Sequence, residues 1–282
     1  MKPPIHWYGG KTLQIKNILP YIPEHHCYVE PYGGSGAMLF GKEPSKVEVY
    51  NDLHKGVVTL YQVLRDPDMF EVFKIRICNT PYSRRELEDC WQHLSVNANW
   101  DKPEIARAFF VLARQSFAGR HNAKPGWSSS KKSNHALAWM NAIEGLPAIH
   151  ERLKAVQIEC RPALEVIKQY DGKDTFFYLD PPYLAETRKE TNAYEHEMDD
   201  NDHFDLLCLI QNCKGMVLLS GYHHDMYDDV LSDWHYKDFR VDTGAVDTRT
   251  GADTKRTEVI WWNDALEINR VGAQTYINFE VY

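Results

Sequence analysis

Phe176-Phe177-Tyr178-Leu179-Asp180-Pro181-Pro182-Tyr183 decides how this chain folds. Four consecutive apolar residues ahead of a turn predict a strand buried on both faces, as in a parallel sheet covered by helices. The two prolines then stop the strand, since each fixes φ and has no N–H for a ladder. Asp180 therefore stands at the carboxyl end of a sheet strand, where open α/β folds hold their ligands. A Pro-Pro turn presents only acceptors, here the Asp180 carboxylate and the Pro181 carbonyl. Two rigid acceptors suit an amino group with two protons to give, such as the exocyclic amine of a nucleobase. Held in this way, the nitrogen would point its lone pair at an electrophile. Tyr183 offers a face on which the base could stack. Taken alone, the tetrapeptide also fits a plain strand terminator with an incidental Asp.

Short β-rich runs of the same kind occur at Cys27 to Glu30, Lys46 to Tyr50, Val156 to Cys160 and Met216 to Ser220. They alternate with helical patterns in the first part of the chain and again beyond Val156. This alternation predicts a twisted, mostly parallel α/β sheet with helices on both faces. Between residues 63 and 150 helical spacing dominates instead, over Tyr82 to Leu94, Glu104 to Phe117 and a third run from near His135. Pro103 falls where a first helical turn tolerates it. Ala118 to Asn134, rich in Gly, Ser, Lys and Asn, reads as a loop. The expected organisation is an α/β domain made of residues 1–62 and 151–282, interrupted by a helical insertion over 63–150. Beyond His235 the extended runs Thr257 to Trp262 and Thr275 to Val281, with turn chemistry at Asp242 to Asp253, predict an antiparallel hairpin closing one sheet edge.

At 282 residues, 43% hydrophobic and 26% charged, the chain has the composition of a globular protein, which excludes disordered and fibrous classes. No apolar run approaches the roughly 18 residues of a membrane span. Met1-Lys2-Pro3-Pro4 is not followed by an apolar signal core, and a cytoplasmic protein is expected. The 6 cysteines form no C-x-x-C pair and are expected to be reduced and mostly buried. The histidine pairs His25-His26 and His223-His224 are not expected to bind metal, because adjacent side chains do not generally face one ion. A formal net charge of −8 argues against a nucleic-acid partner only if charge is uniform, and it is not. Lys102, Arg107, Arg114, Arg120, Lys124, Lys131 and Lys132 crowd residues 101–135, whereas residues 190–205 carry acids and neither Lys nor Arg. A local basic face on an acidic protein is expected.

Two further segments carry site chemistry. Tyr28-Val29-Glu30-Pro31-Tyr32-Gly33-Gly34-Ser35-Gly36 is a strand running into a glycine-rich turn that would let backbone approach a ligand. Neither the G-x-G-x-x-G register nor a P-loop is present, which disfavours a dinucleotide or nucleoside triphosphate. Asp52, at the end of the next strand, can accept from both hydroxyls of a ribose. The N-terminal Trp7-Tyr8-Gly9-Gly10-Lys11 reads as a helix cap or as a lid whose lysine meets a carboxylate, followed by an amphipathic helix through Leu19.

Taken in order, W-x-G-G-K at Trp7 to Lys11, E-P-Y-x-G-S-G at Glu30 to Gly36, the acid Asp52, a basic helical insertion and D-P-P-Y at Asp180 to Tyr183 resemble the Dam-like alpha group of DNA adenine-N6 methyltransferases. Thr80-Pro81-Tyr82-Ser83, Phe110 to Phe117 and Arg161 to Ile167 are similar to solitary phage and prophage methylases in particular. The resemblance implies a seven-stranded, Rossmann-like class I methyltransferase sheet with an inserted target-recognition domain. It implies S-adenosylmethionine as cofactor, S-adenosylhomocysteine as product, no metal, and direct methyl transfer to an adenine flipped out of double-stranded DNA. Carried over residue by residue, cofactor contacts fall on Trp7, Lys11, Glu30, Tyr32, Gly33, Gly34, Ser35, Gly36, Asp52 and Asp180. Catalytic contacts fall on Asp180, Pro181 and Tyr183. DNA contacts are expected at Arg114, Arg120, Lys124, Trp127, Lys131 and Lys132, with Trp127 expected to pack the loop rather than to wedge between bases. Where GATC methylases carry an R-Y-N-like segment this chain has Arg120-His121-Asn122, so GATC specificity does not transfer. Other readings of these residues are a silent DNA-binding relative, an RNA or small-molecule amino methyltransferase, and an N4-cytosine enzyme, whose motif is S-P-P-Y.

Overall fold

In the computed structural model, which describes residues 1–95, 99–117, 126–187, 196–241 and 256–270, one seven-stranded sheet organises the chain. Its strands are β1 (Cys27–Glu30), β2 (Val47–Asn51), β3 (Val156–Glu159), β4 (Thr175–Leu179), β5 (Met216–Gly221), β6 (His235–Val241) and β7 (Arg256–Trp262). The spatial order is β3-β2-β1-β4-β5-β7-β6, and β1 to β5 are parallel. β7 runs against both of its neighbours. The edge hairpin therefore pairs β7 with β6; the other expected run, Thr275 to Val281, and the turn at Asp242 to Asp253 lie outside the described residues.

The helices include α1 (Ile15–Ile18), α2 (Ala37–Gly41), α3 (Lys55–Arg65), α4 (Pro67–Cys78), α5 (Arg84–Ser95), α6 (Lys102–Gln115), α7 (His135–Glu144), α8 (Leu146–Leu153), α9 (Ala163–Tyr170), α10 (Asp200–Ile210) and α11 (Asp225–Val230). The two-residue period of the strands distributes side chains to two cores. Tyr28, Phe176, Tyr178, Leu218 and Ile260 face α2 to α8, whereas Val29, Phe177, Leu179, Leu219 and Trp261 face α9 to α11. That is why Phe176 to Leu179 has no polar position. α6 begins as its sequence suggests, with the Asp101 side chain accepting from the Glu104 N–H and a proline in the first turn. α3 runs through residue 62, and α4 to α8 pack with it into the core that also holds one face of the sheet.

Two expectations are corrected. The segment after Lys11 is not one amphipathic helix but a 3-10 turn (Lys11–Leu13), the single-turn α1 and a second 3-10 turn (Leu19–Tyr21), in which Pro20 has no N–H to continue the helix from α1. The cysteines are not mostly buried. Cys90 is, but Cys78, Cys160 and Cys208 are exposed, and Cys27 and Cys213 lie between. Thiols on the outward side of helix and loop positions have no core to enter. Among the described residues no helix is long and apolar enough to cross a membrane.

Candidate active site

The chain leaves β1 toward β2 and β3 on one side and returns through β4 toward β5 on the other, so the order of strands reverses between β1 and β4. Ligands of open α/β sheets bind at such a switch point, beyond the carboxyl ends of the strands. The register Val29↔Phe177 places the turn after Glu30 beside the turn after Leu179. Two motifs about 150 residues apart thus open into one cavity of about 270 Å³. Its walls include Trp7, Lys11, Glu30, Gly33, Asp52 and Asp180, together with Pro162 to Leu164 and His196 to Met198.

Gly33 has no room for a side chain, because a Cβ there would come 2.1 Å from the Tyr50 ring. Gly34 has φ +49, and a Cβ would also meet the Trp7 indole at 2.7 Å. The turn is pinned from below: Tyr50 donates to the Gly34 carbonyl (2.6 Å) and Tyr61 to the Ser35 carbonyl (2.7 Å). Asp52 accepts from the backbone N–H of Gly34 (2.7 Å) and of His54 (2.8 Å), one on each oxygen. Burial raises its pKa in spite of those donors. Glu30 is buried too. Its Oε2 accepts from the Tyr28 hydroxyl (2.9 Å) and from the Leu39 N–H (3.0 Å), fixing the start of α2, and burial lifts its pKa to about 8.

Around Asp180 the chain assembles Lys11, Tyr183 and Glu258 from three separate segments. The Lys11 ammonium, only 4% exposed, is 3.0 Å from Asp180 Oδ1, and the Tyr183 hydroxyl donates to the same oxygen at 3.1 Å. Lys11 also donates to the Tyr183 hydroxyl and stands 4.6 Å over that ring. Glu258 Oε2 is 3.9 Å from Lys11 on another side. Burial lowers the lysine pKa, but Asp180 and Glu258 outweigh it and hold the ammonium above its ordinary range. The Asp180 carboxyl is pushed up by burial against the pull of Lys11. Both donors use Oδ1, so Oδ2 is the oxygen left for a ligand amine among the described residues.

Residues 7–242 match the family described as D12 class N6 adenine-specific DNA methyltransferase. The chain belongs to that family. It is 24% identical over 261 residues to the type II methyltransferase M.MjaIII of Methanocaldococcus jannaschii, covering 84% of this chain and 90% of that one. It is 26% identical over 192 residues to the type II methyltransferase M.CviBI of Paramecium bursaria Chlorella virus NC1A, covering 65% and 69%. It is also 24% identical over 249 residues to the DNA N-6-adenine-methyltransferase of Escherichia phage P1, covering 84% of this chain but 31% of the phage protein. The family makes this chain an adenine-specific DNA methyltransferase with an α/β fold.

The structure brings most of the expected site residues to one cavity, although Gly36, Pro181 and Tyr183 do not line it. Tyr183 is turned inward, with its ring edge-on to Tyr222 (4.8 Å) and its hydroxyl engaged. Three contributions went unseen in the sequence. His54 caps α3 and packs edge-on against Trp7 (5.5 Å). The acidic segment near residue 200 closes one wall, and its Asp199 and Asp202 form a capping box for α10. Its freedom from Lys and Arg was the available signal. Glu258 reaches Lys11 only through the strand order, which no local pattern encodes. Of the expected DNA contacts, Lys131 and Lys132 are exposed, whereas the Arg114 guanidinium donates to the Pro4 carbonyl (2.6 Å) and lies 2.9 Å from His6. Trp127 packs 5.5 Å from Tyr82 beneath Arg84 and bridges to Ser116 at the stem of a small hairpin. Phe117, also in that stem, is 66% exposed, and Arg120 and Lys124 lie outside the described residues.

Proposed function

We propose that the cavity binds S-adenosylmethionine and that Asp180 and Pro181 hold the amino group of an adenine flipped from double-stranded DNA. The observation that carries this reading is the single-sided engagement of Asp180: Lys11 and Tyr183 fix Oδ1, and Oδ2 stays available at the cavity shared with the glycine turn. The residues present fit the cofactor. The close backbone turn at Gly33 and Gly34 suits the amino-acid end, and Asp52 keeps lone pairs for ribose hydroxyls beyond its two backbone donors. When bound, S-adenosylmethionine supplies a methyl on positive sulfur: a carbon–nitrogen bond forms to N6, the sulfur–carbon bond breaks with its electron pair left on sulfur, and one N6 proton then passes to water. Asp180 and the Pro181 carbonyl accept from the two N6 protons and point the lone pair at the methyl group. The Asp180 charge stabilises the positive charge arriving at N6. Lys11 and Tyr183 keep the carboxylate from rotating. The insertion over 63–150 serves as the target-recognition part, with Lys131 and Lys132 on phosphates, joined by Arg120 and Lys124.

Methyl-labelled S-adenosylmethionine incubated with unmodified DNA should give N6-methyladenine in a fixed sequence context. Asp180→Ala should abolish that product while DNA binding persists. Tyr183→Phe should keep more activity than Tyr183→Ala, because it preserves the buried ring that packs against Tyr222 beneath Lys11 and loses only the hydroxyl on Asp180. Formation of N6-methyladenine by Asp180→Ala would overturn the assignment.

A further inference from the structure

Lys11 stands among charges that do not cancel. Asp180 and Glu258 both lie within ion-pair reach of its ammonium, at 3.0 and 3.9 Å, and neither side chain is more than 18% exposed. Glu258 projects from β7, does not line the cavity, and accepts from the Tyr222 hydroxyl at 3.4 Å through its other oxygen. Tyr222 in turn stands edge-on to Tyr183. A lysine and one aspartate make a neutral pair. Methyl transfer carries a unit of positive charge from sulfur to N6, and a neutral pair beside N6 does little for that charge, while the ammonium alone opposes it. With Glu258 included, the triad carries one net negative charge in a site shielded from water.

We propose that Glu258 is a positioning residue for methyl transfer, holding the Lys11 ammonium from the side away from the cavity and so leaving Asp180 its negative character toward the adenine amine. The inference rests on the assignment of Asp180 given above. It explains a buried carboxylate on a strand whose next residues, Val259, Ile260 and Trp261, serve the two apolar cores.

Glu258→Gln keeps the volume and an acceptor for Tyr222 while removing the charge. At saturating DNA and S-adenosylmethionine, the single-turnover rate should fall by about tenfold or more, with cofactor and DNA affinity within about twofold of wild type and no fall in Tm. The pH profile gives the more specific readout. Asp180 is faced by Lys11 and Tyr183, by Glu258, and by Glu30 and Tyr178 from β1 and β4. Glu258 makes the Asp180 carboxyl harder to ionise, so its neutralisation should move the acid limb of the rate to lower pH. Glu258→Asp should recover part of the rate. A wild-type rate and acid limb in Glu258→Gln would overturn the inference. So would a rate that falls together with Tm and cofactor affinity while the acid limb stays in place, because that is the signature of a packing role. If wild type forms no N6-methyladenine, or Asp180→Ala does, the underlying assignment fails and this inference falls with it. If wild type is active, Asp180→Ala is inactive and Glu258→Gln is normal, this inference alone fails.

Discussion

Glu30 is a carboxylic acid with almost no access to water, and its two donors, Tyr28 and the Leu39 N–H, both use the same oxygen. Burial therefore dominates and raises its pKa from 4.5 to about 8. A carboxyl raised in the folded state costs nothing while both states are protonated, below its ordinary range. The cost then grows as pH rises through that range and is complete above the folded value. Wild type should accordingly lose stability relative to Glu30→Gln between about pH 4.5 and about pH 8, as read from Tm measured across that window. Parallel curves would show that Glu30 does not titrate in this way. The position of Glu30 in a motif was plain in the sequence. Its protonation was not, since it depends on what Tyr28, Leu39 and Asp180 do around it.

The loops after β1, β2 and β3 are fastened together by one side chain. The Asn51 amide donates to the carbonyls of Pro31 (2.8 Å) and Arg161 (2.9 Å), and its oxygen accepts from the Arg161 N–H (2.9 Å). Both N–H groups and the oxygen are thereby engaged in a fully buried amide that could not be left unpaired without cost. Asn51→Leu would orphan an N–H and two carbonyls. We expect a loss of about 2–4 kcal/mol, a fall in Tm of several degrees, and weaker S-adenosylmethionine binding as the glycine turn loses its support. Thermal unfolding and calorimetry on the variant check both, and an unchanged Tm would show that the loops hold without the amide. From sequence alone Asn51 is an ordinary turn residue beside Asp52. Its partners come from residues up to 110 positions away.

For the whole molecule, a formal charge of −8 coexists with a DNA substrate because the acids and bases are segregated. Lys131 and Lys132 are exposed beside the hairpin that carries Phe117, whereas the acids near residue 200 cap α10 and wall the cavity. DNA affinity should fall steeply with salt, and Lys131→Ala with Lys132→Ala should flatten the slope of log K against log salt by roughly two units. Wild-type salt dependence in the double variant would put the phosphate contacts elsewhere. The five parallel strands, the helices α5, α6 and α7 and the two turns that carry the site were legible in the sequence alone, because each is written in local periodicity, in glycine and proline, and in the chemistry of a few adjacent side chains, whereas α4 and α8 were not read from it. It also exposed the charge segregation, which needs only composition along the chain. Long-range packing alone sets β7 between β5 and β6, turns the Tyr183 hydroxyl onto Lys11 and Asp180, engages Arg114 with the N-terminal segment and brings Glu258 to Lys11. These are contacts between residues far apart in the chain, set by strand order and by the packing of two cores, and no local pattern of residues carries that information.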